Sequence, residues 1–231
     1  YLNVLSVEEH DQEALDVLSR LYTKRGDHSS ALDMMGQLIR LVGDPARQVD
    51  LAYRMGQVLD NELGDRGGAL EQYRKATDLE PAHLPSLEAM RKIQLDSGEW
   101  LAAAKTLEQE ARFSENPRVK AQRLVELGRL YDNQLEEHDR AVQCYEQALE
   151  SDADSEEAAL PLVDVYTRTN RHPAAFPLLK MLVKGSAKRE GAEQHRLSFM
   201  LGTTAMEVGD TDEAIKAFSK AHQLESTDLP T

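Results

Sequence analysis

Apolar residues recur along this chain with the period of an α-helix, and the pattern is clearest in residues 51–81. In the second half of this stretch Ala69, Tyr73 and Ala76 recur at spacings of four and three, so they share one helix face. Gly56 lies on the matching stripe of a first helix, where its small size lets two backbones approach closely while larger side chains fill the remaining space. The pattern predicts two amphipathic helices folded against each other.

The turn and the ends of this unit carry their own signals. Gly64 separates the two helices, Asp65 is placed to cap the second one, and Pro81 closes the unit. Two helices of this length cannot bury their apolar faces alone, so neighbouring units must stack on both sides.

The chain supplies such neighbours at a period of 72 residues. The landmarks of the first unit return at Gly128, Ala141, Tyr145 and Ala148. A second class of unit lies between these copies, and its Leu15 recurs as Leu87 and Ala159. The sequence therefore consists of tandem copies of a double unit with four helices.

Small residues at the eighth, twentieth and twenty-seventh positions, an aromatic residue near the twenty-fourth and a proline at the thirty-second resemble a tetratricopeptide repeat. The stretch departs from that pattern by one extra residue between Gly56 and Ala69. The resemblance implies an all-α fold, a right-handed α-solenoid of about six helix-turn-helix pairs.

We expect one solenoid over residues 1–231, in which residues 1–10 are the remnant of a preceding repeat and the chain is a piece of a larger protein. The six expected units are 12–45, 46–82, 83–116, 117–154, 155–188 and 189–227. In the fifth unit, Pro161 and Pro177 should each kink a helix or mark a later helix start. The polar stretch Gly185–Gly191 is either a hinge or part of a helix that runs through it.

Net charge and composition limit the classes of partner. The formal net charge of -14 repels nucleic acid and anionic lipid, so we expect no nucleic-acid partner. No apolar run approaches the ~18 residues of a membrane span, so no membrane insertion is expected. The single cysteine, Cys144, excludes an intrachain disulfide and favours a reducing compartment such as the cytoplasm.

Local catalytic and metal-binding motifs are absent from the sequence. The seven histidines never pair at spacings of three or four, and the chain has no glycine-rich phosphate loop. His28, Trp100 and His172 occupy the same position of successive odd units. This recurrence indicates a structural role at the corner between the two helices of a pair. We therefore expect no cofactor, no metal and no enzymatic activity, although a site assembled from distant residues remains an alternative.

In proteins that this sequence resembles, the first helices of successive pairs line a concave groove that binds a peptide or a partner helix. Positions one turn from the packing stripe would face that groove. The candidate peptide-binding residues are Arg20, Lys24, Tyr53, Arg54, Gln57, Asn61, Lys92, Arg129, Asn133 and Phe199.

Four of these candidates, Arg20, Arg54, Lys92 and Arg129, would form a basic row in an otherwise acidic protein. Such a row suits an acidic segment or a free carboxylate, because arginine forms paired hydrogen bonds with carboxylates. The alternative is that these side chains pair with acids such as Asp16 at a spacing of four. The lysine and asparagine clamp of chaperone-tail-binding relatives is not reproduced in the first pair.

These features predict a non-catalytic scaffold that binds a protein or peptide in its groove. A second possibility is a spacer that self-associates, because the later groove positions are apolar. Those positions are Val125, Leu160, Phe199, Met200 and Met206.

Overall fold

The computed structural model describes Tyr1, Glu8, residues 10–185 and residues 189–227, and these ranges form twelve α-helices and no strand. The first six helices are α1 (Gln12–Arg25), α2 (His28–Leu41), α3 (Pro45–Asn61), α4 (Arg66–Leu79), α5 (Leu84–Asp96) and α6 (Trp100–Phe113). The others are α7 (Pro117–Asn133), α8 (His138–Ser151), α9 (Glu156–Arg168), α10 (His172–Gly185), α11 (Gly191–Val208) and α12 (Thr211–Thr227). The all-α fold class predicted from the sequence is confirmed.

Polar caps and left-handed residues set where the helices begin and end. The side chain of Asp11 accepts a hydrogen bond from the backbone N–H of Ala14 at 2.7 Å and starts α1. The side chain of Asp65 accepts one from Gly68 at 2.9 Å, so the predicted cap of α4 is present. Gly26 ends α1 with a φ of 81°, in the left-handed region. Glycine adopts this conformation without a steric clash because it has no Cβ atom.

The chain divides into two compact units, Tyr1–Ser114 and Glu115–Thr231. In the first unit α1 packs on α2, α3 on α4 and α5 on α6, while α2 contacts α3 and α4 contacts α5. One core cluster includes Leu15, Leu38 and Leu51 and so joins α1, α2 and α3. Because neighbouring pairs share buried side chains, each pair covers apolar surface that the next one would otherwise expose.

The second unit repeats this arrangement with its own buried side chains. Here α7 packs on α8, α9 on α10 and α11 on α12, while α8 contacts α9 and α10 contacts α11. Leu162, Leu179, Leu182 and Leu197 are fully buried in it.

Three glycines lie beneath aromatic rings within helix pairs. A Cβ atom added to Gly128 would come within 2.6 Å of the Tyr145 ring, and one added to Gly202 would come within 2.7 Å of the Phe218 ring. Gly56 is covered by Tyr73 in the same way. The close backbone approach predicted at Gly56 is therefore present, and the aromatic ring fills the space directly above the glycine.

The proline predictions for the fifth pair are partly corrected. Pro161 lies inside α9 and Pro177 inside α10, and both helices begin five residues earlier, so neither proline marks a helix start. Asn170, which takes the place of a turn glycine, has a φ of 58°. Asparagine tolerates this region because its short side chain bonds locally.

Two further expectations concern segments that are only partly described. Helix α10 ends at Gly185 and α11 begins at Gly191, with Arg189 and Glu190 outside both helices. A helix running through Gly185–Gly191 is therefore wrong. The alternative, a hinge, rests on residues 186–188, which lie outside the described residues. The remnant of a preceding repeat expected over residues 1–10 falls mainly on residues 2–7 and 9, which also lie outside the described residues.

Candidate functional site

Five of the predicted peptide-binding residues line one cleft of about 500 Å³ in the first unit, between α1, α2 and α3. They are Arg20, Lys24, Arg54, Gln57 and Asn61. Met35 and Val58, which belong to the buried core, form the apolar part of the lining. The cleft therefore combines a cationic rim with a small apolar floor.

Helical spacing places these side chains on one face of each helix. On α1, Arg20 and Lys24 lie one turn apart. On α3, Arg54, Gln57 and Asn61 follow each other at spacings of three and four. The packing of α1, α2 and α3 around one core then turns the two rows toward the same cleft.

Asp16 pairs with both arginines of the cleft. Its Oδ2 atom accepts a hydrogen bond from Arg20 at 2.9 Å and its Oδ1 atom accepts one from Arg54 at 3.0 Å. Arg54 also donates to Ser19 Oγ at 3.2 Å and lies 3.7 Å from Asp50. The pairing of Asp16 with Arg20, which the sequence left open, is present, and it extends across to α3 through Arg54.

The charge of Asp16 is stabilised by these contacts. Burial raises the pKa of Asp16, whereas the hydrogen bond and charge of Arg54, together with the contacts of Arg20, lower it. The net result is a pKa below the ordinary value for aspartate. Asp16 therefore remains ionised at neutral pH and keeps the two guanidinium groups in place.

Lys24 is the least constrained cation of the cleft. Its side chain is exposed, and within the described part of the chain it has no acidic partner at ion-pair distance. Glu62, also at the rim, lies 3.6 Å from His28 Nε2. The amides of Gln57 and Asn61 add hydrogen-bond donors and acceptors beside Lys24.

The other candidate residues lie elsewhere. Tyr53 packs its ring against Tyr73 at 5.7 Å and His83 at 5.3 Å, between the second and third pairs. Lys92 is exposed on α5 and does not line the cleft. Of the basic row, Arg20 and Arg54 thus share the cleft with Lys24, whereas Lys92 stands apart from them.

Three candidates belong to the second unit. Arg129 is exposed on α7 and lies 3.4 Å from Glu157, and Asn133 is exposed at the end of the same helix. Phe199 is 51% exposed on α11, although its ring also contacts Phe218 at 5.6 Å.

The apolar groove positions need one correction. Val125 is 1% exposed, so the prediction that it faces the groove is wrong. The buried stripe of α7 is wider than a single row, because Leu124, Val125 and Gly128 are all buried. Leu160 and Met200 are half-buried, whereas Met206 is 64% exposed.

Sequence reasoning missed the floor of the cleft and one basic residue of a second cavity. Met35 and Val58 read as core residues, and nothing in their spacing shows that the core reaches a cleft at that point. The second cavity, of about 320 Å³, includes His138 of α8. A position-by-position comparison of the 72-residue copies could have found it, because His138 replaces Arg66.

The described part of the chain shows neither a metal-binding group nor a membrane-spanning helix. Over the residues that the structure describes, no group of three or more His, Cys, Asp or Glu side chains could hold a metal ion. None of the helices in the same ranges has both the length and the hydropathy required to cross a bilayer. The lining of the cleft offers groups for hydrogen bonding and ion pairing above a small apolar floor.

Comparisons with known proteins agree with this helix-pair architecture. One tetratricopeptide repeat family model matches residues 49–83, 121–155 and 195–228, and another matches residues 14–49. A comparison with curated protein sequences gives no match.

Two solved structures show the same fold. The C-terminal part of a tetratricopeptide repeat-containing protein from Cytophaga hutchinsonii is 16% identical, with a TM-score of 0.55 over 98% of this chain and 88% of that chain. A tetratricopeptide repeat protein from Parabacteroides merdae is 19% identical, with a TM-score of 0.50 over 95% of this chain and 81% of that chain. On its matching repeats and its fold, this chain belongs to the tetratricopeptide repeat family.

Proposed function

We propose that this protein-interaction scaffold binds an acidic segment of a partner protein in the cleft between α1 and α3, without catalysing a reaction. The observation that carries the proposal is the convergence of Arg20, Lys24 and Arg54 on one cleft of about 500 Å³. This volume lies within the range of pockets that bind ligands.

The arginines of the cleft retain hydrogen-bonding capacity after they have bound Asp16. A guanidinium group has five N–H donors. Asp16 accepts one bond from Arg20 and one from Arg54, and Ser19 accepts a second from Arg54. The remaining donors, together with the ammonium group of Lys24, suit the carboxylates of an acidic segment.

The charge of the rest of the protein makes this cleft distinctive. The chain has a formal net charge of -14, whereas the cleft lining contains three cations and one acid, Glu62. An acidic segment would be repelled by most of the surface and attracted here, so complementarity supports specificity and orientation more than raw affinity.

A binding experiment on matched charge reversals tests the proposal. The probe is a fluorescein-labelled peptide of alternating glutamate and serine, and the readout is fluorescence anisotropy. We expect Lys24→Glu to weaken binding at least about tenfold, because a like charge then faces the probe. Arg25→Glu makes the same change at the next residue of α1, which lies outside the cleft lining, and should alter affinity less than about twofold.

The result that contradicts the proposal is equally specific. Equal losses for Lys24→Glu and Arg25→Glu would mean that only overall charge matters. A control probe with glutamine in place of glutamate should bind much more weakly, since it lacks the charges that the cleft recognises. If both probes bound with equal affinity, the cleft would not select acidic segments.

Self-association is a second candidate function, favoured by the exposed apolar side chains of α11. Phe199 is 51% exposed and Met206 is 64% exposed, two turns apart on the same helix. Sedimentation equilibrium over a hundredfold concentration range tests it. A monomer at every concentration removes this candidate, whereas a dimer that Met206→Gln abolishes would establish it.

A further inference from the structure

We propose that the second unit has its own docking pocket, between α8 and α9, for an aliphatic side chain that stands next to an acidic residue in a partner protein. The pocket has a volume of about 320 Å³. Its apolar lining consists of Ala141, Val142, Tyr145, Pro161 and Val165. A volume at the lower end of the ligand-binding range suits a single side chain rather than a large molecule.

The equivalent place in the first unit is bridged by an ion pair. There, Arg66 at the start of α4 and Asp96 at the end of α5 lie 3.1 Å apart. The residues 72 positions later are His138 and Arg168. Two basic side chains cannot form that bridge, so the ion pair of the first copy has no counterpart across the mouth of this pocket.

The two carboxylates at the mouth already have basic partners. His138 Nδ1 lies 2.6 Å from Asp132 Oδ1 and donates to it. Asp164 accepts a hydrogen bond from Arg196 at 3.0 Å. Because both acids are engaged in this way, they offer little to a cationic ligand.

Arg168 is the charged group of the mouth that is left over. Its side chain is exposed, and it has no hydrogen-bond or ion-pair partner in the described ranges, 10–185 and 189–227. A guanidinium group binds a carboxylate through two parallel hydrogen bonds. An acidic residue beside the buried aliphatic side chain would supply that carboxylate, and this charge complementarity identifies the occupant.

Methyl spectroscopy can detect binding at this pocket directly. In protein labelled with carbon-13 at its valine methyl groups, Val142 and Val165 report on the pocket, and Val58 reports on the cleft of the first unit. The probe is N-acetyl-leucyl-glutamate amide. Saturable shifts at Val142 and Val165 are expected, and shifts confined to Val58 would overturn the proposal in favour of the other site.

Two control probes separate the requirements of the pocket. The alanyl-glutamate probe lacks the aliphatic side chain, and the leucyl-glutamine probe lacks the charge. Each should bind at least about fivefold more weakly than leucyl-glutamate, because each removes one of the two contacts. Equal affinity for all three probes would show that the pocket recognises neither feature and would overturn the proposal.

Two exposed arginines, Arg168 and Arg118, provide the matched variants. Arg168→Gln should weaken binding of the leucyl-glutamate probe about fivefold. Arg118→Gln, at a position 84% exposed in the same unit and outside this pocket, should change affinity less than about twofold. Both positions are exposed, so both variants should fold. An unchanged affinity in Arg168→Gln would overturn the assignment of the carboxylate contact.

Discussion

The distance between the two helices of a pair is set by single residues. Gly128 lies under the ring of Tyr145, and a Cβ atom at that position would meet the ring at 2.6 Å. Real Cβ contacts at that distance are prevented by repulsion, so even alanine would force the ring or the helix to move. The glycine therefore has a packing role that its low helix propensity would otherwise oppose.

Alanine substitutions at two helical glycines should have opposite effects on stability. Gly128→Ala should lower the free energy of unfolding by about 1–3 kcal/mol, because the methyl group collides with Tyr145. Gly36→Ala should raise it by about 0.5–1 kcal/mol, since a Cβ atom there meets nothing within 4 Å and alanine favours the helix. Urea unfolding followed by circular dichroism measures both, and a stabilised Gly128→Ala variant would contradict the packing role.

Glu136 has an unfavourable backbone conformation for a residue other than glycine. Its φ is 56°, and the residue 72 positions earlier is Gly64 with a φ of 68°. Glu136→Gly should raise the free energy of unfolding by about 0.5–1 kcal/mol, because glycine reaches the left-handed region without a steric cost. Gln134→Gly is the control: Gln134 has a φ of -114°, so glycine there should destabilise by about 0.5–1 kcal/mol.

At the scale of helices, the fold was easier to predict than the contacts between elements. The helix pairs follow from local signals, namely the apolar period, the turn glycines and caps such as Asp65. The bridge from Asp16 to Arg54 depends on how far α1 and α3 rotate about their own axes, which the spacing on either helix does not contain. The burial of Val125 was missed for the same reason: the width of the stripe depends on its neighbours.

The contact of Asp16 with Arg20 and Arg54 links two helices and should make stability depend on pH. Since the pKa of Asp16 is lowered in the folded protein, its contribution is present above its unfolded pKa of about 3.9 and is lost as the pH falls through the folded pKa. Asp16→Asn should therefore lower the free energy of unfolding by about 1 kcal/mol at pH 7, with a smaller difference at pH 2.

The comparison needs a control for aspartate replacement itself. Asp78 is exposed on α4, and Asp78→Asn should change the free energy of unfolding by less than about 0.5 kcal/mol at either pH. Urea unfolding of the three proteins at both pH values gives the result. A deficit in Asp16→Asn that is the same at pH 2 and pH 7 would mean that the charge of Asp16 does not stabilise the link.

At the scale of the whole chain, the stability of each compact unit is distributed over contacts between its own neighbouring pairs. In the first unit, α4 and α5 share the buried residues Tyr73 and Ile93, so the second pair shields part of the third. Removing a helix therefore exposes apolar surface on its neighbour as well as losing its own contacts. Each compact unit contains a set of such shared contacts.

Fragments cut at different helices should separate complete units from incomplete ones. Residues 1–114 contain all contacts of the first unit, so we expect this fragment to be helical and to unfold cooperatively in urea. Residues 1–96 lack α6, which packs on α5, and would leave Leu87 and Ile93 without part of their cover. Their exposure should lower the midpoint of unfolding, because buried apolar area is the main stabilising term.

If residues 1–114 unfolded without a cooperative transition, while the full chain retained one, the first unit would require contacts beyond its own three pairs.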